Sequence, residues 1–117
     1  MTKLEMSKLD KLYQEILLSK YDNKSIIDGD ADLIHHFLQG KYLSIRWYKP
    51  VGVPLSAEQH NNIHAGTIKG KGYEEYIVQI KGKEWLKDIN RQKNKIAKYL
   101  KYDDVVSYLL GTKNNYC

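Results

Sequence analysis

The spacing of apolar and polar residues changes several times along this chain, and each change predicts an element. Leu9, Leu12, Tyr13, Ile16 and Leu17 follow the i, i+3, i+4, i+7, i+8 series of an amphipathic helix. Thr2 and Glu5 form a capping box ahead of it, so a helix is predicted over residues 3–20, ended by Asp22-Asn23-Lys24-Ser25. A second short helix is predicted after Asp30, with Leu33, Ile34, Phe37 and Leu38 as its stripe and Gly40 just past its end. Over residues 41–49, Leu43, Ile45 and Trp47 alternate with Ser44, Arg46 and Tyr48, the period of a half-buried strand. Pro50 and Pro54 stop that strand, since neither can donate to a ladder.

Ser56 and Gln59 form a second capping box, which predicts one or two helical turns. Strands are predicted from His64 to Lys69 and from Tyr73 to Lys81, joined through Gly70-Lys71-Gly72, whose glycines supply the positive φ of a tight hairpin. Tyr76, Val78 and Ile80 then face inward. After Gly82, the residues Trp85, Leu86, Ile89, Ile96 and Leu100 gather on one side of a long helix reaching about residue 101. Asp103 caps a last helix carrying Val105, Val106, Tyr108, Leu109 and Leu110, closed by Gly111, and Thr112–Cys117 reads as a frayed tail. Trp47 and Trp85 read as core.

The resulting order, α-α-β-(α)-β-β-α-α, predicts an α+β fold: a small three-stranded antiparallel sheet covered by N- and C-terminal helices. No repeat or linker divides the 117 residues, which read as a single domain, 1–117.

Charge changes this picture most. Between Lys81 and Lys101 eight cations stand against Glu84 and Asp88, a balance of +6, whereas the whole chain is +5 and the other residues therefore sum to −1. On a continuous helix of roughly 28 Å, Lys83, Lys87, Arg91, Lys95, Lys98 and Lys101 share the side opposite the apolar cluster, with both acids off the stripe. Such a row suits a polyanion. Lysine outnumbers arginine 17 to 2, the usage of an AT-rich genome, which points to a low-GC bacterium or one of its phages or mobile elements. It also favours backbone neutralisation over base reading, because arginine supplies the planar fork.

Composition of 42% hydrophobic and 28% charged residues is that of an ordinary globular chain. No apolar run could span a bilayer, and the N-terminal residues lack the apolar stretch of a secretory signal. Cys117 is the only cysteine, so neither an intrachain disulfide nor a cysteine zinc site can form, which suits a cytoplasmic location.

The remaining chemistry is sparser. Tyr42, Tyr48 and Tyr73, with Arg46, are candidates for a sheet face on which bases stack, although tyrosines at strand spacing are more often half-buried. His60 and His64 are four apart, which on a helix is metal-ligand spacing, and His35-His36 could approach them. No carboxylate or cysteine completes a recognised signature, and His64 reads as strand, so the four are taken as surface residues and no metal ligand or cofactor is assigned. Asp28-Gly29-Asp30-Ala31-Asp32 opens like an EF-hand loop but has Leu33 where glycine is required and Gln39 where the bidentate glutamate belongs. Its acids suit the positive end of the helix predicted to follow. Gly70-Lys71-Gly72 lacks the following helix of a phosphate loop.

From residue 31 to 101 the predicted order is similar to the α-β-β-β-α order of double-stranded-RNA-binding domains. His60 stands in the loop where those domains carry a histidine, and Lys93-Asn-Lys-Ile-Ala-Lys98 resembles their lysine cluster, though it falls in mid-helix rather than at the N-terminus. The likeness is topological only.

The expected function is that of a small, basic, non-enzymatic binding protein contacting nucleic acid through Lys83, Lys87, Arg91, Lys95, Lys98 and Lys101, with Arg46 as a weaker contact. Two other readings are open. One is a mobile-element inhibitor or adaptor that binds a nucleic-acid-handling host protein. The other is a metal-independent ribonuclease using His60 or His64 with Arg46, a lysine and a tyrosine.

Overall fold

Helix α1 (Lys3–Lys20) begins where its capping box sets it in the computed structural model, which describes residues 1–117. Thr2 Oγ1 accepts from the Glu5 N–H at 3.1 Å and Glu5 Oε1 accepts from the Thr2 N–H at 2.8 Å. The buried stripe is Leu9, Tyr13 and Leu17, and Asp22 and Asn23 turn the chain away in the left-handed region, with φ of 53° and 56°. Both side chains tolerate that conformation by bonding locally. At the other end of the chain, α6 (Tyr102–Leu109) packs on α1 and brings Val105, Tyr108 and Leu109 into the same core as Ile34, Trp47 and Tyr116.

The middle of the chain exchanges the predicted elements. Residues expected to be helical form strand β1 (Leu33–His36), which pairs antiparallel with β2 (Gly52–Leu55) in the register Leu33–Leu55, Ile34–Pro54, His35–Val53 and His36–Gly52. Ile34 and His35 are both buried though adjacent, as a strand between two layers requires. The segment expected to be a strand instead folds as a one-turn helix, α2 (Leu43–Arg46), followed by a 3₁₀ turn (Lys49–Val51). Elements this short cannot display a helical period, so the alternation of Ile45 and Trp47 with polar residues misleads. Pro54 lies inside β2 because a two-stranded sheet leaves each strand an unpaired edge. Gly52 is required by packing, since a Cβ there would lie 2.5 Å from Tyr13 Oη and 2.6 Å from Ile34 Cγ2.

Ser56 caps α3 (Ala57–Ala65), and Gly66 closes it at φ 67°. The expected hairpin is absent. Thr67 Oγ1 accepts from the Gly70 N–H at 2.9 Å and starts α4 (Ile68–Lys81). Neither Gly70 nor Gly72 has positive φ. Gly70 serves close approach instead: a Cβ there would sit 2.1 Å from the Asn62 carbonyl oxygen, in the backbone of α3. Ile77 is the residue α4 buries, while Tyr76 and Ile80, expected inside, are exposed. The sheet therefore has two strands rather than three, and the α-β-β-β-α order does not form.

Gly82, at φ 91°, separates α4 from α5 (Lys83–Lys93), whose inner face carries Ile89, Leu86 and Trp85 onto Ile45, Val51 and Phe37. This helix does not continue to residue 101. The Lys93 carbonyl, which another turn would need as an acceptor, takes a 2.7 Å hydrogen bond from Ser44 Oγ, and Asn94 and Lys95 close with i→i−3 bonds. Ile96 is consequently 78% exposed, and Leu100 packs against the core around α1 and α6. The C-terminal residues are docked, not frayed. Tyr116 is buried, and its hydroxyl donates toward the carbonyls of Leu43 (2.9 Å) and Ser44 (2.7 Å) while accepting from the Trp47 N–H at 3.3 Å. No helix is long and apolar enough to cross a membrane.

Candidate functional site

With α5 ending at Lys93, the six-membered cationic row divides. Lys83, Lys87 and Arg91 recur every four residues along one side of the helix and, with Asn90, Asn94 and the edge of Leu86, line a shallow groove of about 530 Å³. All three cations are exposed. The two acids lie closer to this row than the spacing predicts: Glu84 Oε1 is 3.4 Å from Lys87 Nζ and Asp88 Oδ1 is 3.7 Å from Arg91 Nη1. Both pairs are solvated and i, i+3, so each is worth only a few tenths of a kcal/mol and yields readily to a stronger anion. Asp88 is further occupied by the Tyr48 hydroxyl at 2.7 Å. Lys83 makes no ion pair, and no carboxylate from the N-terminal half reaches the row.

The other expected contacts lie elsewhere. Lys95 and Lys98 fall in the non-helical segment after α5, with Lys98 beside Met1, Met6 and Leu43, and Lys101 is the N-cap residue of α6. Arg46 is engaged. Its Nε and Nη2 donate to Asp10 Oδ1 and Oδ2 at 2.9 and 2.7 Å, and its guanidinium lies over the Trp47 ring. The three tyrosines do not share a sheet face: Tyr42 precedes α2 with the Lys93 ammonium 4.7 Å from its ring centroid, Tyr48 holds Asp88, and Tyr73 is on α4.

A second feature comes from the histidines. His60 and His64 stand one turn apart on α3, and His35 of β1 faces them, with ring centroids 4.3 Å apart for His60–His64, 5.1 Å for His35–His60 and 5.5 Å for His35–His64. One ring nitrogen from each lies within 4.8 Å of the others. His35 is buried, His60 half-buried and His64 exposed, so the expectation of four surface histidines does not hold. Burial, with the facing His60 and His64, holds the His35 pKa down to about 4, and burial likewise lowers His60. The Nδ1 of His60 is buried with no hydrogen-bond partner. His36 is apart from the group: its Nε2 donates to the Arg46 carbonyl at 2.8 Å and its ring stacks on Tyr13.

Loop residues fix α3 in this position. Gln59 accepts from Ser25 Oγ and the Ser56 N–H at 2.6 and 2.9 Å, and donates to the Asp28 carboxylate at 2.7 Å. Asp32 Oδ2 accepts from the Ala57 N–H at 2.8 Å. Asp28 and Asp32, two of the acids read as flanking a helix at residue 31, thus hold the N-terminus of α3, reached through space, while Asp30 pairs with Lys24. The signal for the cluster is present in the sequence, since a capping box at Ser56 implies that His60 and His64 share a helical face; reading His64 as strand concealed it. Comparison with protein-family models, curated proteins and solved structures finds no match to the chain.

Proposed function

We propose that this chain is a binding protein that docks a phosphate polyanion against the outer side of α5, with Lys83, Lys87 and Arg91 as the neutralising groups and Asn90 and Asn94 as neutral donors beside them. The observation that supports this most is the row itself: three exposed cations at four-residue intervals, countered only by weak pairs within their own helix. Successive members are about 6 Å apart along the axis. That interval presents one cation after another to a phosphate backbone, and the two lysine ammonium groups neutralise it without reading bases, Arg91 alone carrying a planar fork. Lys93 at the end of the helix and Lys95 and Lys98 beyond it add charge but no regular spacing.

Binding of single-stranded and duplex RNA and DNA as a function of salt tests the proposal. Three phosphate contacts predict a log–log slope of about −3 on duplex DNA, shallower than a six-cation row would give. Replacing Lys83, Lys87 and Arg91 together with glutamate abolishes binding while circular dichroism stays unchanged, because all three side chains are exposed. Salt-independent association, or full binding by the triple variant, rejects the proposal. If host-lysate pull-down then survives nuclease treatment, the face recognises a protein instead.

A further inference from the structure

The geometry points to a second site unrelated to the cationic face: His35, His60 and His64 form a three-imidazole centre for a late first-row divalent cation, zinc foremost, with a fourth position open to solvent.

The positions follow from the fold. Strand alternation sends Ile34 into the core against α1 and His35 to the opposite side, toward α3. The four-residue spacing of His60 and His64 sets both rings on the face of α3 that meets it. Two elements distant in sequence thus deliver three rings to one point, and β1 and α3 are each fixed independently, by pairing to β2 and by the Gln59 and Asp32 bonds. Tetrahedral zinc with Zn–N bonds of about 2.0–2.1 Å needs its nitrogens about 3.3 Å apart. From a spacing of at most 4.8 Å, closing the triangle asks each pair of ring nitrogens to approach by about 1.5 Å or less.

The surroundings favour a cation over any internal explanation. None of the three rings hydrogen-bonds to a protein group, although buried polar atoms are nearly always satisfied, and His60 Nδ1 is buried and unpaired. No carboxylate is paired to the rings, and the three imidazoles meet in T-shaped contacts with no mutual donor–acceptor bond between them. An all-nitrogen donor set without thiolate suits zinc and its neighbours rather than magnesium or calcium. The rings line a groove of about 610 Å³ that also holds Gln39, Lys41 and Glu74, giving a path of entry and room for water or a carboxylate as the fourth ligand. Three protein ligands plus an exchangeable position is the arrangement of reactive rather than purely structural zinc sites.

The test uses the full chain, tag-free and stripped of metal. Zinc is titrated in competition with a chromogenic chelator, and cobalt(II) reports coordination through its visible d–d absorption. One equivalent binds, cobalt gives the intense bands of a four-coordinate site, and zinc raises the melting temperature. His64→Ala and His60→Ala each weaken zinc binding more than about 100-fold, beyond the loss typical of a supporting residue. His64 is exposed on α3, so its removal leaves the fold intact and decides the matter even if His60→Ala does not fold. Failure of zinc to compete with the chelator, cobalt spectra of the hexa-aqua ion only, or unchanged affinity in His64→Ala overturns the inference. None of these readouts involves α5, so they stand or fall separately from polyanion binding.

Discussion

Asp10 grips Arg46 through both carboxylate oxygens, and its Oδ1 also accepts the indole N–H of the fully buried Trp47 at 2.9 Å. One carboxylate on α1 thereby orders α2 and the tryptophan at the centre of the core. Asp10→Ala removes a bidentate pair and leaves a buried N–H without an acceptor, so it destabilises by about 1–3 kcal/mol in urea titration. Arg46→Gln lowers stability by less and leaves the salt dependence of polyanion binding unchanged. A change in that slope would return Arg46 to the contact surface.

The two glycines of α4 respond oppositely to alanine. At Gly70 the added carbon meets the Asn62 carbonyl, which belongs to backbone and cannot swing away, so Gly70→Ala parts α3 from α4 and costs about 2–4 kcal/mol. At Gly72 a Cβ enters open space on a helix, so Gly72→Ala stabilises by up to about 1 kcal/mol. Denaturant midpoints of the two variants, moving in opposite directions, check the helical assignment of residues 68–81. A hairpin there would make both changes unfavourable.

Alkali should unfold the protein through its tyrosines. Burial raises the pKa of Tyr108 to about 12 and pushes those of Tyr13 and Tyr116 up as well. A folded pKa above the unfolded value near 10 means that the stabilisation is complete below pH 10 and is lost as pH rises through about 12. For Tyr108 alone the loss amounts to about 2–3 kcal/mol. Tyrosinate absorbance should therefore rise in two stages, exposed residues first and the buried group together with loss of circular dichroism. A single smooth titration of all ten tyrosines with the fold intact would contradict this account.

Tyr116→Phe keeps the buried ring and deletes only the hydroxyl, leaving the Trp47 N–H only its contact with the Ile45 carbonyl at the end of α2. The expected cost is about 1–2 kcal/mol. Amide hydrogen exchange localises the effect: the Trp47 amide loses protection in this variant while the amides of α4 keep theirs.

Signals complete within a few residues were legible and those set by distant partners were not, for a physical reason. The Thr2 and Ser56 capping boxes, the stripe of α1 and the break at Gly82 are local signals, complete within a few residues, and each holds. Leu33–His36 and Leu43–Arg46 are four residues long, shorter than a helical period can be read, and their state is set by partners elsewhere: β2 for the first, the end of α5 for the second. Gly70-Lys71-Gly72 looked like a turn because glycine at a backbone crossing and glycine at positive φ are the same letter. Lys83, Lys87 and Arg91 keep the side-by-side arrangement that their spacing implies, whereas Lys95, Lys98 and Lys101 depend on a helix end that no neighbouring residue announces. The histidine triad required knowing that residue 35 is in a strand.

Ser44 lies 49 residues upstream of the carbonyl it bonds at Lys93. Its hydroxyl satisfies a carbonyl that the end of α5 leaves open, so the place where the basic helix stops is supported from across the molecule. A synthetic peptide spanning 81–101 would be freed of that stop and is no miniature of the intact surface, since its length and its display of ammonium groups would answer to solvent and ligand alone.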